Sequence, residues 1–68
     1  MTVVTKVRQT IAGLKSAQAS LETFALDTDN EQAKQLFQQM ATQTQSVIDG
    51  LEPRLTEIEQ EEPQYRQQ

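Results

Sequence analysis

The sequence predicts an all-α fold, an antiparallel helical hairpin that dimerises into a four-helix bundle. Apolar residues recur three and four positions apart over two long stretches, and a short polar segment separates them. So short a link makes the two helices fold back on each other. The chain has 68 residues, no Cys and no His, so disulfides and common metal sites cannot supplement a small core. Of the usual ways to stabilise a domain of this size, self-association remains.

The first helix is predicted from about Val3 to Leu26. Its row of apolar residues is interrupted by one polar member, Gln18, between Leu14 and Leu21. A second stripe consists of small residues, Gly13, Ala17 and Ser20. Glycine inside a helix costs about 1 kcal/mol relative to alanine. We interpret the stripe as a surface that another helix can approach closely.

The break between the helices is predicted at residues 26–31. Asp, Thr and Asn bond their own backbone and favour turns and caps. Thr28, Asp29 or Asn30 can therefore cap the second helix, and Glu31 places a carboxylate in its first turn.

The second helix is predicted to begin near Asn30 or Glu31, and its course near Pro53 has two interpretations. Gly50 and Pro53 together indicate a stop, since proline removes a helical hydrogen bond. Leu55 and Ile58, however, continue the same apolar face in phase. We favour a kinked continuation to about Glu61 over a break followed by a third helix. Residues 1–61 then form the hairpin domain, and residues 62–68 a flexible tail.

The apolar surface of each helix is wider than one helix–helix contact needs, so we expect part of it to form the dimer interface. Gln18 and Thr44 are polar members of the apolar rows, and we expect them to fix register or oligomer state. The interface candidates are Val7, Ile11, Leu14, Gln18, Leu21, Phe24, Leu36, Phe37, Met40, Thr44, Val47, Ile48 and Leu51.

Charge and composition exclude several classes of function. The net charge of −4 argues against nucleic-acid binding, which needs clustered Lys and Arg. The apolar runs are too short for membrane insertion, and the first residues lack the apolar core of a signal peptide, so we expect a cytoplasmic protein. Without Cys or His, and with no base partner visible for Ser or Thr, we expect no catalytic residue, cofactor or metal.

One alternative comes from residues 29–41, which are similar to the start of the second helix of a ferritin-like protein. Such bundles hold metals with Glu and Glu-x-x-His. Here Gln18 and the stretch from Gln43 to Val47 stand at those positions, and amides and hydroxyls are poor ligands for these metals. A ferritin-like metal-binding or enzymatic protein with an unorthodox site is therefore the second interpretation.

Nearly the whole chain resembles a family of very short proteins of unknown function from endospore-forming Firmicutes. The residues that carry the resemblance are Thr2-Val3, Lys6-Val7, the run from Leu14 to Ala25, Ala33-Lys34, Leu51-Glu52-Pro53-Arg54 and Glu61-Glu62-Pro63-Gln64-Tyr65. Members of that family are found near genes for spore membrane channel and germination proteins. The resemblance implies a sporulation context, with the forespore or spore interior as the compartment, and it brings no catalytic residues. Our leading hypothesis is a non-enzymatic, self-associating structural or interaction module that has a spore membrane protein as a further partner.

Overall fold

The computed structural model describes residues 2–61, and within that range the chain consists of two helices and no strand. Helix α1 spans Thr2–Asp27 and helix α2 spans Glu31–Glu61. The all-α prediction is confirmed, and each helix end lies within one residue of its expected position. The tail expected at residues 62–68 lies outside the described part of the chain.

The turn between the helices is closed by side chains of the predicted break. The carbonyl of Asn30 accepts the first hydrogen bond of α2, from the N–H of Lys34 at 2.9 Å. The Asn30 side-chain oxygen accepts from the N–H of Ala33 at 2.9 Å, so Asn30 is the N-cap. The Thr28 N–H donates to the Phe24 carbonyl at 3.0 Å, and the Thr28 hydroxyl accepts from the Asn30 N–H at 3.2 Å. These bonds satisfy backbone groups that the two helix ends would otherwise leave unpaired.

Helix α2 continues through Pro53 to Glu61 as one element, so the predicted continuation is confirmed, and the kink at Pro53 stays a prediction. Pro53 itself is exposed, whereas Leu51, Leu55 and Ile58 are half-buried. Their packing keeps the segment helical despite the hydrogen bond that proline removes. A separate third helix does not form within residues 2–61.

The core between the two helices is thin. Its buried apolar side chains are Val4, Ile11 and Ala25 from α1, and Ala41 and Ile48 from α2. Ile48 is completely buried, and two members of this core are alanines. A two-helix unit has a single contact between its elements, so it can cover only one strip of each helix. Much of the remaining apolar surface therefore stays accessible.

Ion pairs fix the register of the two helices. Arg8 near the start of α1 pairs with Glu59, and Lys15 pairs with Glu52 at 3.1 Å. The basic start of α1 thus lies beside the acidic end of α2. Residues 53–61 consequently pack beside the start of α1. Each exposed pair contributes less than about 1 kcal/mol, so the pairs act on register more than on stability.

Candidate interaction surface

On helix α1, the accessible apolar residues lie to one side of the buried row. At 100° per residue, Val4, Ile11 and Ala25 point toward α2. Leu14 and Leu21 are half-buried next to that row, and Phe24 is half exposed beyond it. The same rotation places Arg8 and Lys15 on the opposite side of the buried row.

The residues of helix α2 are also divided into a buried row, an apolar side and a polar side. Ala41 and Ile48 form its buried row. Leu36, Met40 and Val47 lie to one side, and Leu36 and Val47 are 51% and 50% exposed. Gln45, Glu52 and other polar residues lie to the opposite side. Each helix therefore has one apolar flank and one polar flank.

The two apolar flanks belong to the same face of the hairpin. The rings of Phe24 and Phe37 meet across the helices on this side. The ion pairs that Arg8 and Lys15 form with α2 lie on the other side. We call the first side the apolar face and the second the charged face. The apolar face comprises Val3, Leu14, Leu21, Phe24, Leu36, Met40, Val47, Leu51 and Ile58.

The structure divides the predicted interface residues into three groups. Ile11 and Ile48 are buried between the helices of the chain itself. Phe24, Leu36 and Val47 are about half exposed. The remaining candidates are partly covered by the chain; they are Val7, Leu14, Gln18, Leu21, Phe37, Met40, Thr44 and Leu51.

Two members of the apolar face were missing from the sequence-predicted interface. Val3 is 55% exposed, and Ile58 is half-buried. The spacing of seven residues from Leu51 to Ile58 could have identified the second of them. One exposed leucine, Leu26 at 82%, lies on the opposite side of α1 and belongs to neither the core nor the apolar face.

The polar residue Thr44 fits its half-buried position because its hydroxyl is already bonded. It donates to the Met40 carbonyl of the same helix at 2.8 Å. Such a bond removes the cost of an unpaired donor beside apolar neighbours. Gln18 is also half-buried, on the opposing helix. Whether these two residues fix the oligomer state stays a prediction.

The stripe of small residues faces away from α2. A Cβ added at Gly13 would meet nothing within 4 Å, and the same is true of Gly50. Ala17 and Ser20 are exposed. The packing of α1 on α2 therefore does not require a glycine here.

A shallow groove on the charged face follows from the register of the helices. Its volume is about 290 Å³, and it is lined by Arg8, Ile11, Ala12, Lys15, Glu52 and Leu55. Both of its cations are paired with carboxylates of α2, Arg8 with Glu59 and Lys15 with Glu52. The groove therefore offers little net charge to a ligand.

Groups that could hold a metal do not converge in the part of the chain that the structure describes. No three acidic side chains among residues 2–61 are close enough to surround an ion. In the stretch that stands at the ferritin-like ligand positions, Ser46 donates to the Thr42 carbonyl at 3.3 Å. Gln45 donates to the Asp49 carboxylate at 2.8 Å. These side chains are engaged within their own helix.

Neither of the two described helices combines the length and the hydropathy that crossing a membrane requires.

Comparison with known proteins gives one match. A family model described as "Protein of unknown function (DUF1657)" matches residues 7–55, which include the turn and most of both helices. No curated protein matches the chain, and no solved structure does.

Proposed function

We propose that this chain, which belongs to the family DUF1657, is a non-enzymatic interaction module. In this proposal two copies of the chain associate through their apolar faces. The observation that carries the proposal is the set of half-exposed side chains on one side of the hairpin. Val3, Phe24, Leu36 and Val47 retain between 49% and 55% exposure there.

The size of the apolar face suits a stable dimer. On α1 the apolar face runs from Val3 to Phe24, which gives it a length of about 32 Å. Two adjacent helices give it a width of about 20 Å. The product is roughly 640 Å², which lies near the lower end of what each partner buries in an interface of standard size.

The thin core supplies the energetic reason. Burying apolar surface contributes about 25 cal/mol per Å², and a chain of this size has little stability to spare. The hairpin alone buries Ile48 fully but leaves Leu36 and Val47 half in water. Covering the apolar face would add a second layer to the core and complete a four-helix bundle.

A second copy of the chain is the partner that fits the apolar face best. Lys6 and Arg54 have the angular positions of Phe24 and Leu36, so the apolar face carries two cations toward the end away from the turn and no charge in its middle. A two-fold axis pairs such a patch with itself. The net charge of −4 disfavours nucleic acids and anionic membrane surfaces. The resulting assembly is a homodimer in which the polar members Gln18 and Thr44 lie near the central layers.

Sedimentation equilibrium at micromolar concentration tests the proposal. We expect a mass of twice the 7.7 kDa chain. Val47→Lys should weaken association at least tenfold, since it places a charge in the centre of the apolar face. Leu26→Lys is the matched control because it replaces an exposed apolar residue outside that face with the same charge.

Two results would contradict the proposal. The first is a folded monomer whose unfolding midpoint does not depend on protein concentration. The second is equal weakening of association by Val47→Lys and Leu26→Lys, which would place the interface elsewhere.

We further propose that this module acts during sporulation or in the spore, in the cytoplasm, the forespore or the spore interior. The support is the resemblance carried by the run from Leu14 to Ala25 and by the residues from Glu61 to Tyr65. Mass spectrometry of growing cells, sporulating cells and purified spores should find the chain enriched in the latter two. Equal abundance in growing cells that cannot sporulate would contradict this context.

A spore membrane protein is the further partner that the resemblance implies. Tagged protein should sediment with spore membranes and be released by detergent. Recovery entirely in the soluble fraction of broken spores would count against such a partner.

A further inference from the structure

We infer that the two hairpins of the dimer stack with their turns at opposite ends, so that α1 lies on α1 of the second copy and α2 on α2. This inference rests on the proposed self-association through the apolar face.

Two arrangements are compatible with a two-fold axis in the plane of the apolar face. An axis parallel to the helices places both turns at the same end and sets α1 on the second copy's α2. An axis perpendicular to the helices places the turns at opposite ends. Neighbouring helices are antiparallel in both arrangements, so helix direction alone does not choose between them.

The distribution of side-chain size along the apolar face favours opposite ends. On α1 the apolar face carries the phenyl ring of Phe24 near the turn and the smaller side chain of Val3 at the other end. On α2 it carries Leu36 and Ile58, whose side chains are equal in size. Stacking turn on turn would put both Phe24 rings at one end of the interface and both Val3 side chains at the other. Opposite stacking sets large side chains against small ones, which gives the uniform density typical of protein cores.

The middle of α1 has the small side chains that this arrangement needs. Ala17 is exposed and lies close to the midpoint of Thr2–Asp27, on the side of the apolar face. Gly13 is one turn earlier on the adjacent edge, and a Cβ there would contact nothing in the chain. With the turns at opposite ends, these two segments of α1 meet near the two-fold axis. The absence of bulky groups lets the helices approach closely there.

The charges at the two ends of the hairpin also favour stacking with the turns at opposite ends. Residues 22–34 around the turn carry Glu22, Asp27, Asp29 and Glu31 against one cation, Lys34, a net charge of −3. At the other end, residues 2–10 and 53–61 balance three cations against three carboxylates; they are Lys6, Arg8, Arg54, Glu57, Glu59 and Glu61. Turns at the same end would bring two charges of −3 together. With the turns at opposite ends, each charge of −3 lies beside a neutral end of the second copy. This electrostatic preference becomes weaker as the salt concentration rises.

A single spin label near the turn distinguishes the arrangements. The chain contains no Cys, so Gln32→Cys provides one labelling site at an exposed position without changing the net charge. Opposite stacking predicts a label-to-label distance of about 40 Å in pulsed electron paramagnetic resonance, from a rise of 1.5 Å per residue. Same-end stacking predicts a distance below about 25 Å, from interhelical spacings of 8–10 Å plus the labels.

The outcomes separate this inference from the proposed function. A peak near the longer distance supports opposite stacking, and a peak near the shorter distance overturns it while leaving the dimer in place. A sample at the same concentration with no intermolecular distance overturns the dimer itself. As a second measurement, a thiol-reactive cross-linker with a span of about 10 Å should join two copies of Ala17→Cys far faster than two copies of Ala12→Cys, which lies on the charged side of α1. Equal rates for the two variants would also count against opposite stacking.

Discussion

The phenyl rings of Phe24 and Phe37 pack edge to face, with centroids 5.7 Å apart and an interplanar angle of 62°. This contact joins the last turns of α1 to the second turn of α2 across the three-residue connection. It closes the end of the hairpin on the apolar face. It also leaves one ring, that of Phe24, half exposed for a further contact.

The Phe24–Phe37 pair should be energetically coupled. Aromatic pairs of this geometry contribute about 0.5–1.5 kcal/mol beyond the area that they bury. We expect a double-mutant cycle of Phe24→Ala and Phe37→Ala, measured by urea unfolding, to give a coupling near the lower bound because Phe24 is half exposed. A matched cycle of Phe24→Ala with the distant Leu55→Ala should be additive. Additivity of the two phenylalanine substitutions would show that the ring contact is not made in solution.

Removing the cap of α2 should destabilise the protein measurably. The Asn30 side chain accepts from the Ala33 N–H, and replacing such a residue by alanine costs about 1 kcal/mol. Asn30→Ala should therefore lower the free energy of unfolding by that amount. Asn30→Asp should retain most of the stability, since a carboxylate can accept the same bond at a helix N-terminus. If Asn30→Ala were neutral, the observed cap would be contradicted.

Replacing Pro53 should stabilise the protein. Proline inside a helix costs about 3 kcal/mol relative to alanine, and its rigidity in the unfolded chain offsets a part of this. Because Pro53 is exposed and α2 is continuous around it, we expect Pro53→Ala to raise the free energy of unfolding by about 2 kcal/mol. Gln60→Ala, at another exposed position of the same helix, is the control and should change stability by less than about 0.5 kcal/mol. A loss of stability in Pro53→Ala would show that the proline shapes a contact that alanine cannot make.

Alanine substitutions at the two glycines test the close approach of a second copy that the proposed dimer requires. In the hairpin a Cβ at either position meets nothing, so Gly13→Ala and Gly50→Ala should each stabilise their helix by about 1 kcal/mol. A second copy that approaches α1 closely would reduce the gain at Gly13 alone. Thermal unfolding at several protein concentrations measures both effects. A gain at Gly13 equal to that at Gly50, at all concentrations, would exclude close approach at this point.

Metal content tests the ferritin-like alternative. Protein purified from rich medium should contain far less than one iron, manganese or zinc ion per chain, because Gln, Thr, Ser and Val stand at the ligand positions. Elemental analysis measures this directly, with a buffer eluted from the same column as the blank. About one metal ion per chain, or more, would revive that alternative.

The sequence by itself determined the helices, their ends and the turn, because these features depend on neighbouring residues. The apolar period over residues 4–25 and 33–58 predicts two amphipathic helices. The choice of Asn30 among three candidate caps required the structure, since Thr28, Asp29 and Asn30 have similar capping chemistry. The continuity of α2 through Pro53 followed from the phase of Leu55 and Ile58, and the structure settled it.

What only the tertiary structure decided is which apolar side chains α1 and α2 use on each other. In the sequence, Val47 and Ile48 are neighbours of equal hydrophobic character, yet Ile48 is completely buried and Val47 is half exposed. Their difference of 100° around the axis becomes a difference in burial only when α1 is in place, at the register marked by the Lys15–Glu52 and Phe24–Phe37 contacts. The same register brings the apolar flanks of the two helices to one face. A periodic pattern gives each helix a wide apolar arc, but the position of the partner helix selects the part of that arc that is covered.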